Sequence, residues 1–272
     1  MDNAAALNLH RADRVAGIFS STQVIAWRVL AKFLRSPQLV VVGTVQSAIF
    51  LLIFRYMFGG AISIHGFSYV DFLVPGFVTT GVLFSGMMAA AGMAEDMQAG
   101  FVSRLRSLPI PRAAVLTGRA LADTAIVLWG VAISVAIAFL VGFQLHASPA
   151  SALSAVGLIA VFGFVFEWFF IALGMLAGSP QAAHGLTLVV FPFTFISSAY
   201  IPVDTMPSWM QVFARNQPLT PMVDAVRALT QGHAAEVLLG HGAEYYVVRA
   251  LVWAAIILAV CAPLAVARYR AG

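Results

Sequence analysis

The sequence predicts an all-α protein that crosses a membrane six times, and three observations carry that expectation. Of its 272 residues, 61% are hydrophobic and 10% charged, and the mean hydropathy is +0.92, outside the range of soluble globular domains. The apolar runs are each close to the roughly 20 residues that cross a hydrocarbon core. They are continuous rather than alternating, which excludes the strands of a membrane barrel.

Taken in order, residues 1–19 form a polar tail, and 20–272 a single membrane domain. Between Ser20 and Arg35, the residues Val24, Trp27, Leu30, Ala31 and Leu34 recur at helical spacing, while Arg28, Lys32 and Arg35 carry charge. That pattern suits an interfacial amphipathic helix over 20–35, ended by Ser36-Pro37. Spans are expected at about 38–57, 72–92, 117–142, 152–177, 183–201 and 247–267. An even number of spans puts both termini on one side. Eleven basic residues (Arg11, Arg14, Arg28, Lys32, Arg35, Arg104, Arg106, Arg112, Arg119, Arg268 and Arg270) fall on that side, against Arg215, Arg227 and Arg249 on the other. The positive-inside rule makes it the cytoplasm. Arg55, near the outer end of the first span, should snorkel to the headgroups. The opening residues lack an apolar core with a small-residue cleavage site, so no removable signal peptide is expected. The sequence pI of about 9.6 reflects this topology rather than a nucleic-acid partner.

The loop from Glu95 to Asp123 opens with Glu95 and Asp96 and passes Gly100 as a flexible point. It then carries Arg104, Arg106, a rigid Leu108-Pro109-Ile110-Pro111 corner and Arg112. Acids near a helix start and arginines near its end suit a short surface helix, which serves either as a topology anchor or as a handle for a soluble partner. Inside the spans, Glu167 is costly and should face protein or water. At 1.5 Å per residue it lies roughly 15 Å from the inner edge, and Asp123 roughly 9 Å deep. Arg119 and Asp123 stand at i,i+4 and Glu167 is within reach of a long arginine, so the three form either a structural cluster or a proton or substrate relay.

Between the last two spans, Ile201-Pro202 breaks an apolar run. A short helix is expected with Asp204 or Thr205 as cap, Pro207 just inside, and Trp209, Val212 and Phe213 on one apolar face. A second opens with Thr220 as cap and Pro221 in the first turn, places Asp224 near the positive end, and stops at Gly232. Both are expected at the membrane surface. Phe77, Phe84, Met88, Phe191 and Phe195 are candidates to line an apolar passage.

Several chemistries find no footing. The chain holds one lysine, Lys32, without a Gly-rich phosphate loop, so it does not hydrolyse ATP itself. The six histidines (His10, His65, His146, His184, His233 and His241) are scattered and form no metal motif. Cys261 is the only cysteine and reads as a small buried hydrophobe. There is no GxSxG at Ser85 or Ser197.

Two stretches carry a family resemblance. One is the D-x-x-x-G-x-x-x-R-x-R-x-L-P pattern from Asp96 to Pro109, followed by Gly118-Arg119 and Asp123. The other runs from Ser197 to Arg227, with Pro202, Met206-Pro207, Trp209, Asn216, Pro218-Leu219 and Val223-Asp224. From Gln23 onward the chain resembles the membrane subunit of ABC-2 type transporters, of the kind found in daunorubicin-resistance and related drug or lipid exporters. The resemblance implies a multi-pass permease of a cell membrane, bacterial, working beside a second permease copy, identical or not. It implies two ATPase subunits that hold ATP and Mg, while this chain carries no cofactor. It further implies that the loop between spans two and three is the coupling helix, that the short outer helices form a re-entrant segment, and that spans two and five line the path of a drug, lipid or glycan. Two other classes compete: a secondary transporter or channel using Glu167 and Asp123, and a lipid-modifying enzyme, which the lack of a paired nucleophile and base disfavours.

Overall fold

The computed structural model describes residues 17–60, 62, 64, 67–107 and 110–271. Most of the polar tail, Leu108, Pro109, His10 and His65 therefore lie outside the described residues. Among those residues the fold is all-helical. In chain order the helices are α1 (Ile18–Leu34), α2 (Pro37–Ile53, running on through a π turn, Phe54–Phe58), α3 (Tyr69–Gln98), α4 (Phe101–Arg106), α5 (Arg112–Leu140) and α6 (Pro149–Ala177). They continue as α7 (Pro180–Leu188), α8 (Phe191–Phe195), α9 (Ser208–Asn216), α10 (Leu219–Gln231), α11 (His233–Leu239) and α12 (Ala243–Ala271).

Among the described residues five helices are long and apolar enough to cross a membrane: Val40–Phe58, Tyr69–Gln98, Arg112–Leu140, Pro149–Ala177 and Ala243–Arg270. The span expected at 183–201 is not one helix. It divides into α7 and α8, with a turn at Val189-Val190 where N–H groups reach back only three residues, to Leu186 and Thr187. Pro192 explains the break, since it has no N–H to donate to Leu188 and its ring crowds that carbonyl. The loose ends are taken up from elsewhere: Gln217 Nε2 donates to the carbonyls of Phe193 (3.1 Å) and Ile196 (2.6 Å).

α3 and α6 form the spine of the bundle. A Cβ on Gly86 would overlap the Phe170 ring, and one on Gly174 would overlap the Ala90 carbonyl, so glycine is what lets these helices touch. The main core gathers Phe72, Leu73, Val74, Phe162, Phe170, Met222 and Val223 around them. A second core, at the arginine-rich end, joins Ile25, Met93, Val102, Leu105, Leu116, Trp168 and Tyr269. The apolar stripe of α1 faces away from the protein, with Val24, Trp27 and Leu34 exposed. Its inner side, Ser21 and Ile25, is buried, and Thr22 Oγ1 donates to the Ala114 carbonyl at 3.4 Å. Gly118 of α5 permits that approach, because a Cβ there would stand 2.6 Å from the Thr22 carbonyl oxygen.

The short helices depart from expectation in their caps and their burial. α9 starts after Pro207, which is its N-cap rather than its first turn, while Val203–Thr205 forms a separate 3-10 turn. α10 starts at Leu219 with Pro218 before it, so Thr220 lies inside the helix and its hydroxyl has no partner. Only α9 shows its apolar face, through Trp209, Val212 and Phe213. α10 is buried from Leu219 to Ala228 and packs between α3, α6 and α12 rather than on a surface. It ends at Gly232, where φ is +58°, and is followed by α11, which the sequence pattern did not mark.

Candidate functional site

At the arginine-rich end, Glu95 and Asp96 do not open the short helix. They lie in the last turn of α3, which runs on to Gln98, and Gly100 breaks the chain with φ +68° before α4 begins. α4 is anchored by buried Val102 and Leu105 and leaves Arg104 exposed. Arg112 is exposed at the start of α5, with Pro111 as N-cap. Arg106 turns the other way, its guanidinium 4.9 Å from the ring centre of Tyr269 near the end of α12. The two outward arginines are available to a partner, whereas Arg106 ties α4 to the last helix.

Asp96 is the hub of this end. Arg119 Nη1 donates to its Oδ2 at 2.5 Å, and Arg28 Nη2 lies 3.6 Å from its Oδ1. Arg28 also rests 3.5 Å above the Phe101 ring, so one guanidinium touches α1, α3 and α4 at once. Lys32 to Glu95, at 3.3 Å, is an exposed pair alongside, worth little by itself.

One helical turn deeper, Arg119 Nε lies 3.3 Å from Asp123 Oδ2, an ion pair in which neither atom reaches hydrogen-bond geometry. Arg119 Nη2 donates to the Ala89 carbonyl at 3.3 Å, in room that Gly92 leaves open. The second carboxylate paired with Arg119 is thus Asp96, while Glu167 feels the charges of Arg119 and Asp123 through space without pairing with either. Glu167 is 1% exposed and its Oε2 has no hydrogen-bond partner. The i,i+4 pair was legible from spacing; the α3 contact depends on helix packing that no local pattern encodes.

At the opposite end, Arg227 of α10 is fully buried. Its Nη1 donates to Asp224 Oδ1 (2.6 Å), Nη2 to the carbonyls of Ser198 (2.6 Å) and Phe72 (3.1 Å), and Nε to Phe72 again (3.2 Å). Ser198 Oγ donates to the same Asp224 oxygen at 2.7 Å. Burial pushes the Arg227 pKa down to about 10, against the pull of Asp224, so the guanidinium keeps its proton at neutral pH. Burial likewise pushes Asp224 up, opposed by Arg227 and Ser198. The clamp joins α3, the 196–201 turn and α10, and Gly76 allows the turn to come close, since a Cβ there would overlap the Ala199 carbonyl. A second seam runs beside it: Gln231 Nε2 donates to the Gln144 carbonyl (3.0 Å), its Oε1 meets His146 Nδ1 (2.8 Å), and Gln144 N donates to Asp71 (2.8 Å).

The remaining residues of this region scatter. Asp204 pairs with Arg215 across α9, Asn216 Nδ2 donates to the Val212 carbonyl at 2.8 Å, and Trp209 is exposed. Pro202 and Pro207 flank the 3-10 turn. Of the candidate path residues, Phe84, Phe191 and Phe195 come together, with ring centres 5.8 and 5.1 Å apart. Tyr200 and Phe54 extend the row at 5.2 and 4.7 Å. Phe77 is in the core and Met88 is exposed, neither joining it. Among the described residues no group of His, Cys, Asp and Glu is placed to hold a metal.

Comparisons with known proteins fit this architecture. The family model of the ABC-2 type transporter matches residues 20–230. The daunorubicin resistance ABC transporter permease protein DrrB1 of Streptomyces coeruleorubidus is 31% identical over 216 residues, 79% of this chain and 76% of its own. The probable doxorubicin resistance ABC transporter permease protein DrrC of Mycobacterium tuberculosis is 24% identical over 251 residues, 90% and 86% of the two chains. Nodulation protein J of Rhizobium leguminosarum bv. trifolii is 33% identical over 180 residues, 62% and 64%. The family match begins in α1 and ends in α10, taking in both the Asp96 hub and the Arg227 clamp, and the chain belongs to the ABC-2 type transporter family as a membrane permease subunit.

Proposed function

We propose that this chain is the membrane-spanning half of an ATP-binding cassette exporter, moving a hydrophobic or amphipathic substrate (drug, lipid or glycan) out of the cytoplasm. ATP is hydrolysed on separate subunits, two per complex, that hold ATP and Mg. The observation that carries the reading is α4: a short helix set off by Gly100, rooted through Val102 and Leu105, with Arg104 outward and Arg112 close behind. Its Phe101 lies under Arg28, which with Arg119 pairs to Asp96, and its Arg106 lies over Tyr269, so it is tied to α1, α3, α5 and α12. A push on it would therefore move several spans as a rigid body. In this reading the arginine-rich end and both termini are cytoplasmic, α7 and α8 together make the sixth crossing, and α9 to α11 close the far end as a re-entrant cap. A second permease copy completes the path, with Phe84, Phe191 and Phe195 along it.

The buried, unpartnered Glu167 oxygen supports a second reading, transport coupled to protons without an ATPase. Reconstitution separates them. Vesicles holding this chain with an ATP-binding cassette ATPase that co-purifies with it should accumulate substrate on addition of ATP, and vesicles holding the chain alone should not. Pumping by the chain alone under a proton gradient would overturn the first reading.

A further inference from the structure

On the α9 to α11 end of the molecule, a cleft of about 370 Å³ opens between α6 and the start of α12, lined by Ser154, Leu158, Val161, Leu229, Glu244 and Val247. That volume is within the range of small-molecule sites, roughly 300 to 1,000 Å³. The lining is graded along the bundle axis. Glu244 and Ser154 lie near the starts of their helices, and Leu158, Val161 and Val247 lie further along them. Ser154 and Val161 are separated by about 10 Å of helix, the length of a short alkyl chain or a fused ring system. Ser154 Oγ donates to the Ala150 carbonyl at 3.0 Å, so its lone pairs remain to the cleft. At that end Ser151 Oγ donates to the Leu229 carbonyl at 2.8 Å, which ties α6 to the α10 residue that shares the lining. The Glu244 carboxylate is exposed, and among the described residues no cation is paired with it. A first-turn acid stabilises the α12 dipole, which accounts for the charge but not for the apolar cleft beneath it.

We infer that this cleft binds an amphiphile with a cationic ammonium head, the head on Glu244 and the apolar body against Leu158, Val161 and Val247. A carboxylate above an apolar wall selects this chemistry over anionic or uncharged amphiphiles. The head could belong to a choline lipid of the bilayer or to a free cationic amphiphile.

The test uses the full chain in nanodiscs and a diazirine-bearing dodecyl trimethylammonium probe, with labelled peptides mapped by mass spectrometry. Labelling should fall on the 154–161 and 243–247 segments. Glu244→Gln should weaken it about fivefold or more, and Val161→Trp, which fills the cleft, should abolish it. Val248→Trp, outside the cleft on the exposed side of α12, should leave it unchanged. Should Val161→Trp melt early, Glu244→Gln decides alone. Less labelling in phosphatidylcholine than in nanodiscs of an uncharged digalactosyl lipid, which attract the probe no more strongly, would identify lipid heads as occupants; equal labelling would identify a free amphiphile. Equal labelling of wild type and Glu244→Gln, or equal labelling by an uncharged dodecyl alcohol probe, would overturn the inference. The experiment needs neither ATP nor an ATPase subunit, so its failure leaves the exporter reading standing.

Discussion

The guanidinium of Arg227 lies 3.8 Å above the ring of Phe72 and donates two hydrogen bonds to that residue's own carbonyl, across 155 positions of sequence. One side chain of α10 is thereby fixed to the first turn of α3 by both its charge and its plane. Arg227→Ala would leave Asp224 buried without its partner, and the Ser198 and Phe72 carbonyls without their donor. The expected loss is about 3 to 5 kcal/mol, read as a lower thermal midpoint in detergent or as rapid proteolysis. Arg227→Lys should recover only part of it, because an ammonium cannot reach Asp224, Ser198 and Phe72 together. An Arg227→Ala protein as stable as wild type would show that the clamp does not hold the cap.

The same pair sets a pH dependence. The Asp224 pKa is raised in the folded chain, so the native state holds this proton more tightly than the unfolded one. Stability from this group therefore rises as pH falls through the raised value toward the ordinary carboxylate range. Arg227, at about 10, stays protonated throughout. Wild type should gain thermal midpoint relative to Asp224→Asn between about pH 7 and about pH 4. A difference that shrinks toward acid would mean that Arg227 and Ser198 outweigh burial.

At the other end, the arginines of the α4 region should divide by role. Arg104→Glu with Arg112→Glu should cut ATPase-subunit binding and export by about tenfold or more, a change of about 1.4 kcal/mol, with normal insertion and melting. Arg106→Glu should instead lower yield and thermal midpoint, since the lost partner is Tyr269. Co-purification measured beside melting curves separates the two. If Arg106→Glu binds poorly but melts normally, its assignment to the fold fails.

Gly100 offers a test of the α4 hinge. Its φ of +68° is open to glycine, while an L residue there is strained by about 1 to 2 kcal/mol. Nothing crowds the missing Cβ, so Gly100→Ala acts through the backbone alone. ATPase stimulation should fall while the thermal midpoint moves by only a few degrees.

Asp96→Ala should be costlier than Lys32→Ala. The first removes the carboxylate on which Arg119 and Arg28 converge, at about 3 kcal/mol or more. The second breaks an exposed pair worth about 0 to 1 kcal/mol. Equal melting of the two variants would remove Asp96 from the hub.

The places of five long apolar helices, the helix ahead of them and the i,i+4 pair of Arg119 with Asp123 were legible because each depends on neighbours in sequence. Pro192, in the middle of the run 183–201, was the readable sign of the α7 and α8 break, and uniform hydrophobicity masked it. The burial of α10 was harder to see. Its amphipathic pattern is that of a surface helix, and its polar side is dry only because Arg227 and Asp224 satisfy each other against Phe72 and Ser198. Which carboxylate joins Arg119 was settled by the extension of α3 past the expected end at 92, which carries Asp96 to it. Tyr269, under Arg106, left no local trace.

α2 stands apart from the rest of the bundle. Only 6% of its apolar window is buried by its own chain, against 72% for α3. It is held by the Phe54 stack on Tyr200 and by its contacts with α5 and α1. During biogenesis such a helix has lipid as its first solvent and gains little when its sister spans collapse. Its amides should exchange soonest of all the spans until some other surface arrives to shelter them.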